Sequence, residues 1–128
     1  MGIEVQGNGF ATSRSFIKSQ RDTVLSALKG YVEAIYYINR NREEARKIIS
    51  KYLRLTDGEV LDATYAAFVK TVAKRPTPTL KGIQFMLDEV AAKMPNAKTT
   101  KPEQFVDLSL LQQLDKEGFF AEMAKRYP

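Results

Sequence analysis

Ile3-Glu4-Val5-Gln6-Gly7-Asn8-Gly9-Phe10 alternates apolar and polar residues until two glycines interrupt it. The alternation reads as a lone, half-buried β-strand. Everything after it reads as helix. A strand presents unpaired N–H and C=O groups along both edges, and a single strand cannot satisfy them. A stable sheet with an apolar face needs about three strands, or a hairpin packed on a helix. Either the segment is not a strand, or it pairs with something the chain does not contain. The second option describes a piece of a larger α/β protein, or a strand that pairs with a copy of itself. The expected fold is mostly α, with one N-terminal strand followed by five to seven helices. The expected division is a strand segment over residues 1–14 and a single helical domain over residues 15–128.

The helical reading rests on periodicity. Val24, Leu28, Tyr31, Ile35 and Ile38 recur at spacings of four and three, which builds one apolar stripe on a helix over about residues 20–39. Gly30 sits inside it, where glycine costs about 1 kcal/mol relative to alanine. Close packing against another backbone is the expected reason. Asn41 is placed to cap a second helix, with Glu43 and Glu44 in its first turn and Ala45, Ile48, Ile49, Tyr52 and Leu53 as its apolar face. Thr56-Asp57-Gly58-Glu59 has the spacing of a capping box. The helix it opens carries Leu61, Tyr65, Phe68 and Val72, and stops before Pro76-Thr77-Pro78. Pro78 or Thr79 opens another helix, with Leu80, Ile83, Leu87, Val90 and Met94 on one face. Pro102 suits the first turn of a short helix through Phe105. Asp107 is placed to cap one carrying Leu110, Leu111 and Leu114, with Gly118 closing it. Phe119, Phe120 and Met123 form the last apolar face.

Composition excludes several chemistries. The chain has 128 residues, 44% of them hydrophobic, with a net charge of +5 and neither Cys nor His. Thiolate, imidazole and iron–sulfur ligand sets are therefore missing, as are Ser-His-Asp and Cys-His catalysis. No apolar run approaches the ~20 residues of a membrane span. Met1-Gly2-Ile3-Glu4-Val5-Gln6 has neither the basic start nor the apolar centre of a signal peptide. Arg40, Arg42, Arg46, Lys47, Lys51 and Arg54 form the densest basic run. It reads as a solvated helix face, and as a phosphate or acidic-lipid contact in the sharper alternative.

Few constellations suggest a site. Glu43-Glu44 and Asp88-Glu89 point about 100° apart on a helix, so neither pair converges on one bond. The tyrosines sit mostly at core spacing. Gln6-Gly7-Asn8-Gly9-Phe10 is more suggestive, because two glycines let a backbone approach a ligand while Gln6 and Asn8 supply donors and acceptors. Its structural alternative is a bulged or turned strand. The helices around Tyr52 and Phe68 faintly suggest a helix-turn-helix, but Glu59, Asp62, Thr64 and Lys70 make a poor surface for phosphate.

One ordered set of motifs spans nearly the whole chain. It begins at Gly7-Asn8-Gly9-Phe10-Ala11-Thr12-Ser13-Arg14-Ser15-Phe16-Ile17 and continues through Asp22-Thr23-Val24 and Tyr31-Val32-Glu33-Ala34-Ile35. Asn41-Arg42-Glu43-Glu44-Ala45, Lys51-Tyr52-Leu53 and Leu55-Thr56-Asp57 follow, then Pro76-Thr77-Pro78-Thr79-Leu80-Lys81-Gly82-Ile83 and Val106-Asp107 through Leu114 to Gly118-Phe119. In this order they resemble the C-terminal part of a nitrate/sulfonate/taurine-type substrate-binding protein of a bacterial ABC importer. Such proteins are two-lobed α/β structures that close on a small solute in the cleft. The resemblance implies that the first strand is the crossover to the first lobe and that the helices pack on that lobe's sheet. It implies a periplasmic or extracellular protein, a small anionic or sulfonate-like solute, and Gln6 and Asn8 as solute contacts. A membrane permease would be met through the full-length parent alone. A related branch makes a thiamine pyrimidine precursor with His and Cys residues, which this chain lacks.

The first functional expectation is therefore a non-enzymatic fragment of a solute-binding protein, not competent to bind solute by itself. The alternative is a helical module for self-association or partner binding. Neither needs a cofactor or metal, and nucleic acid is not an expected partner. A homo-oligomer is expected in either case, and exchange of the N-terminal strand between two copies is one way to form it.

Overall fold

The structure, a computed structural model, describes residues 9–128. They form seven α-helices: α1 (Arg14–Ser19), α2 (Arg21–Arg40), α3 (Arg42–Leu53), α4 (Gly58–Thr71), α5 (Leu80–Val90), α6 (Ser109–Lys116) and α7 (Phe119–Arg126). Two 3-10 turns, Pro95–Thr99 and Pro102–Phe105, join α5 to α6.

No strand occurs among the described residues, which corrects the expected strand-plus-helices fold to an all-helical one. Residues 3–8 of the expected strand lie outside the described residues. Its last two residues, Gly9 and Phe10, join no ladder. The Phe10 ring instead lies 5.8 Å from that of Tyr31, tilted by 45°. The reason is local. Ser13 accepts a hydrogen bond from the Phe16 N–H at 3.1 Å and caps α1, so the chain enters helix at Arg14.

α2 is the spine. Its stripe of Val24, Leu28, Val32, Ile35 and Tyr36 is buried, close to the predicted one. Val24, Leu28, Val32 and Tyr36 pack with Leu110 and Leu114 of α6 and Phe120 and Met123 of α7 in one cluster. Polar ties fix this packing at its rim. Arg126 and the Tyr127 hydroxyl both donate to Glu33, at 2.9 and 2.8 Å, and Lys29 pairs with Glu117 at 3.2 Å. Gly118 takes the left-handed conformation, φ +74°, between α6 and α7, where a side chain would be strained.

Two capping expectations and one packing expectation are corrected in detail. Asn41 makes no side-chain cap on α3; its amide donates back to the Tyr37 carbonyl at 3.0 Å and closes α2. Asp57, not Thr56, caps α4, accepting from the N–H groups of Glu59 and Val60 at 2.8 and 3.0 Å. An ionised aspartate outcompetes a hydroxyl for these donors, and the site lies at the positive end of the helix dipole. Gly30 meets nothing within 4 Å of where a Cβ would stand, so close backbone packing is not its reason.

The apolar faces of α3 and α5 depart most from expectation. On α3 only Ala45 is buried, while Ile48, Tyr52 and Leu53 are exposed. On α5, Leu87 is buried and Ile83 half-buried, in a small separate cluster with Ala91 and Ala97. Leu80, Val90 and Met94, predicted on the same face, remain exposed. α5 packs mainly on the two 3-10 turns, which are too short to cover an eleven-residue helix.

Candidate functional site

Gln6 and Asn8, the solute contacts implied by the resemblance, lie outside the described residues. What the described residues bring together is of two kinds, a charged groove and a capped depression.

The groove lies between α3 and α4, where Glu43, Arg46, Lys47, Ser50, Lys51 and Leu61 line a space of about 360 Å³. Helical spacing puts Glu43, Arg46, Lys47, Ser50 and Lys51 on one side of α3. The groove is charged but largely self-neutralised. Arg42 donates to Asp62 at 2.9 Å, and Arg46 reaches Asp62 with Nε at 2.9 Å and Glu43 with Nη1 at 3.1 Å. The Arg46 Nε is an ion-pair neighbour of Asp62 by distance, without the alignment of a hydrogen bond. Lys47 pairs with Glu44 at 2.7 Å, and this contact raises the lysine above its ordinary pKa. Of the basic run singled out in the sequence, Arg42, Arg46 and Lys47 are thus engaged by carboxylates. This part of the run is an internally paired helix face, while Arg40, Lys51 and Arg54 have no carboxylate partner among the described residues.

The depression is smaller, about 140 Å³, and lies where the segment after α4 meets α6 and α7. Leu108, Leu111 and Phe120 form its floor, and Arg75, Thr77, Gln112 and Asp115 its rim. Arg75 stacks over the Phe120 ring at 4.6 Å and pairs with Asp115 at 2.7 Å. Next to it, Lys74 lies over the Tyr36 ring at 5.3 Å. These two cation–π contacts anchor the α4–α5 connection to the main core. The sequence reading missed Arg75. Its signal was faint, because its partners come from residues distant in the chain and the Pro76-Thr77-Pro78 breaker beside it reads only as a helix stop.

Neither place carries catalytic machinery. No group of acidic side chains suited to a metal ion occurs among the described residues. The Tyr127–Glu33–Arg126 cluster brings three titratable groups together. The Tyr127 hydroxyl, followed by the Arg126 guanidinium, holds the Glu33 carboxyl below its ordinary value, and the same hydrogen bond raises the Tyr127 phenol. Its geometry joins the end of α7 to α2, which is a structural task. Tyr65 likewise uses its hydroxyl to reach the Ile38 carbonyl at 3.1 Å, as expected of a packing tyrosine. No described helix is long and apolar enough to cross a membrane. No protein family, curated protein or solved structure matches the chain.

Proposed function

We propose that this chain is the helical C-terminal part of a solute-binding protein that serves an ABC importer, and that it has no enzymatic activity of its own. The observation that carries the reading is the half-covered stripe of α5. Leu80 and Val90 lie on α5 with buried Leu87, and Met94 lies just beyond its end, yet the three are exposed, at 41, 42 and 62%. Burial of such side chains is worth about 1.5–3 kcal/mol each, so a face of this kind is one that packing against further protein would favour. The ordered motifs from Gly7 to Phe119 point to the same family. In this reading the uncovered stripe of α5 meets the sheet-bearing lobe of the parent, and the solute is a small anion or sulfonate held between lobes. Gln6 and Asn8 stay the expected solute contacts, and the parent works outside the cytoplasm with a membrane permease.

The test is calorimetric. The chain alone and the longer product encoded in frame with it are each titrated with nitrate, taurine and short alkanesulfonates. The longer product is expected to bind one of them and the 128-residue chain none. Micromolar binding by the chain alone, or an upstream reading frame without a solute-binding lobe, overturns the proposal.

A further inference from the structure

We infer that α3 is a self-docking helix, on which a second copy of the chain seats antiparallel across a two-fold axis at Ile48. Three observations carry this. First, Ile48 and Tyr52 stand one turn apart on the same side of α3 and are 46 and 75% exposed, although the sequence pattern marks them as a packing face. Second, among the charges of α3, Glu44 lies toward its start and Lys51 toward its end on the side of Ile48 and Tyr52. Glu43 and Glu44 occupy its first turn, and Lys51 its last. Third, the spacing is matched about Ile48: Glu44 precedes it by one turn, and Lys51 and Tyr52 follow it by one turn.

An isologous pair requires such self-complementarity. With the axis at Ile48, the two Ile48 side chains meet. Each Glu44 comes level with Lys51 and Tyr52 of the second copy, about 5–6 Å along the helix from the axis. Lys51 is available for this contact, since it lies over its own Tyr52 ring at 5.6 Å and no carboxylate among the described residues pairs with it. Glu44 shares its charge with Lys47 on the same helix and keeps its side chain half exposed. An anionic lipid surface fits this face less well. It would attract Lys47 and Lys51 but meet Glu43 and Glu44 at the other end, whereas a copy inverted end for end satisfies both signs. The face is one short helix wide, so the association belongs with small, reversible interfaces and weakens with added salt. It uses a surface other than the α5 stripe and holds whether or not the chain derives from a solute-binding protein.

Charge exchange tests this geometry directly. Sedimentation equilibrium is run on the wild-type chain, on Glu44→Lys, on Lys51→Glu, on the double variant and on an equimolar mixture of the two single variants. Far-ultraviolet circular dichroism checks that each remains helical. The wild type is expected to be a reversible dimer. Each single reversal sets like charges opposite one another at two places per dimer and weakens association about tenfold. Both the double variant and the mixture of singles restore opposite charges and return the affinity to near the wild-type value. Ile48→Ser, which changes no charge, abolishes the dimer. A wild-type chain that stays monomeric up to millimolar concentration overturns the inference. So does a dimer indifferent to single reversals, or a mixture that fails to associate better than its components.

Discussion

At the scale of single residues, the helix ends and one glycine yield the sharpest expectations. Asp57 satisfies two of the orphan N–H groups of α4. Asp57→Ala should cost about 1 kcal/mol, Asp57→Asn much less, and Thr56→Ala almost nothing, read as shifts in urea midpoint at constant slope. Equal losses at Thr56 and Asp57 would restore the capping-box reading. Gly30 faces open space inside α2. Gly30→Ala should therefore raise stability by about 1 kcal/mol, since helix propensity improves and no neighbour is displaced. Glu33 makes stability depend on pH. Its folded value lies below the ordinary 4.5, so its contribution is complete above that value and is lost as pH falls through the lowered one. Tyr127→Phe removes the largest cause of the lowering. The variant should be less stable than the parent near neutrality, and the difference should shrink in acid, as urea midpoints at several pH values would register.

At the scale of elements, periodicity located α2 to α7 but could not say which apolar faces find partners. α2 was legible because its stripe is long and both α6 and α7 come back to cover it. α3 and α5 show the same kind of pattern in sequence, and their faces stay largely bare. A spacing of three and four states that a face is apolar; what covers it depends on the rest of the fold. The alternation at residues 3–6 lies outside the described residues, and after Gly9 and Phe10 the chain goes on to a capped helix. A strand exists only through its partner, whereas the Ser13 cap is local and needs none. As for the candidate site, the cations of α3 were visible in the sequence but their carboxylate partner Asp62 was not, because it arrives from the next helix. Unequal cover has an energetic consequence. Leu114 is wholly buried among large side chains, and Leu87 sits in a cluster completed by alanines. Leu114→Ala should fall toward the upper end of the 2–5 kcal/mol range for such truncations, and Leu87→Ala toward the lower end, because fewer contacts are lost around it.

At the scale of the whole molecule, these differences imply uneven stability along the chain. The main core unites α2 with α6 and α7, which lie far from it in sequence, so none of them opens without disrupting the others. α5 and its two 3-10 turns form a second body of packing with four apolar residues at its centre. A side-chain contact such as Arg14 to the Gln104 carbonyl ties it back at an exposed edge, which adds little cohesion. A unit of this sort opens at a lower free energy than the global transition, since little apolar area is exposed when it does. Native-state hydrogen exchange should therefore show the amides of α5 exchanging well before those of α2 and α7, with their protection set by local opening and insensitive to low urea. Protection of α5 equal to that of α2 would mean a single cooperative core and would remove the reason for seeking a partner for Leu80, Val90 and Met94. Were the chain part of a longer product, the same measurement on that product would test the cover of α5 directly. If the stripe is covered there, protection of α5 should rise toward that of α2 while the α2 amides change little.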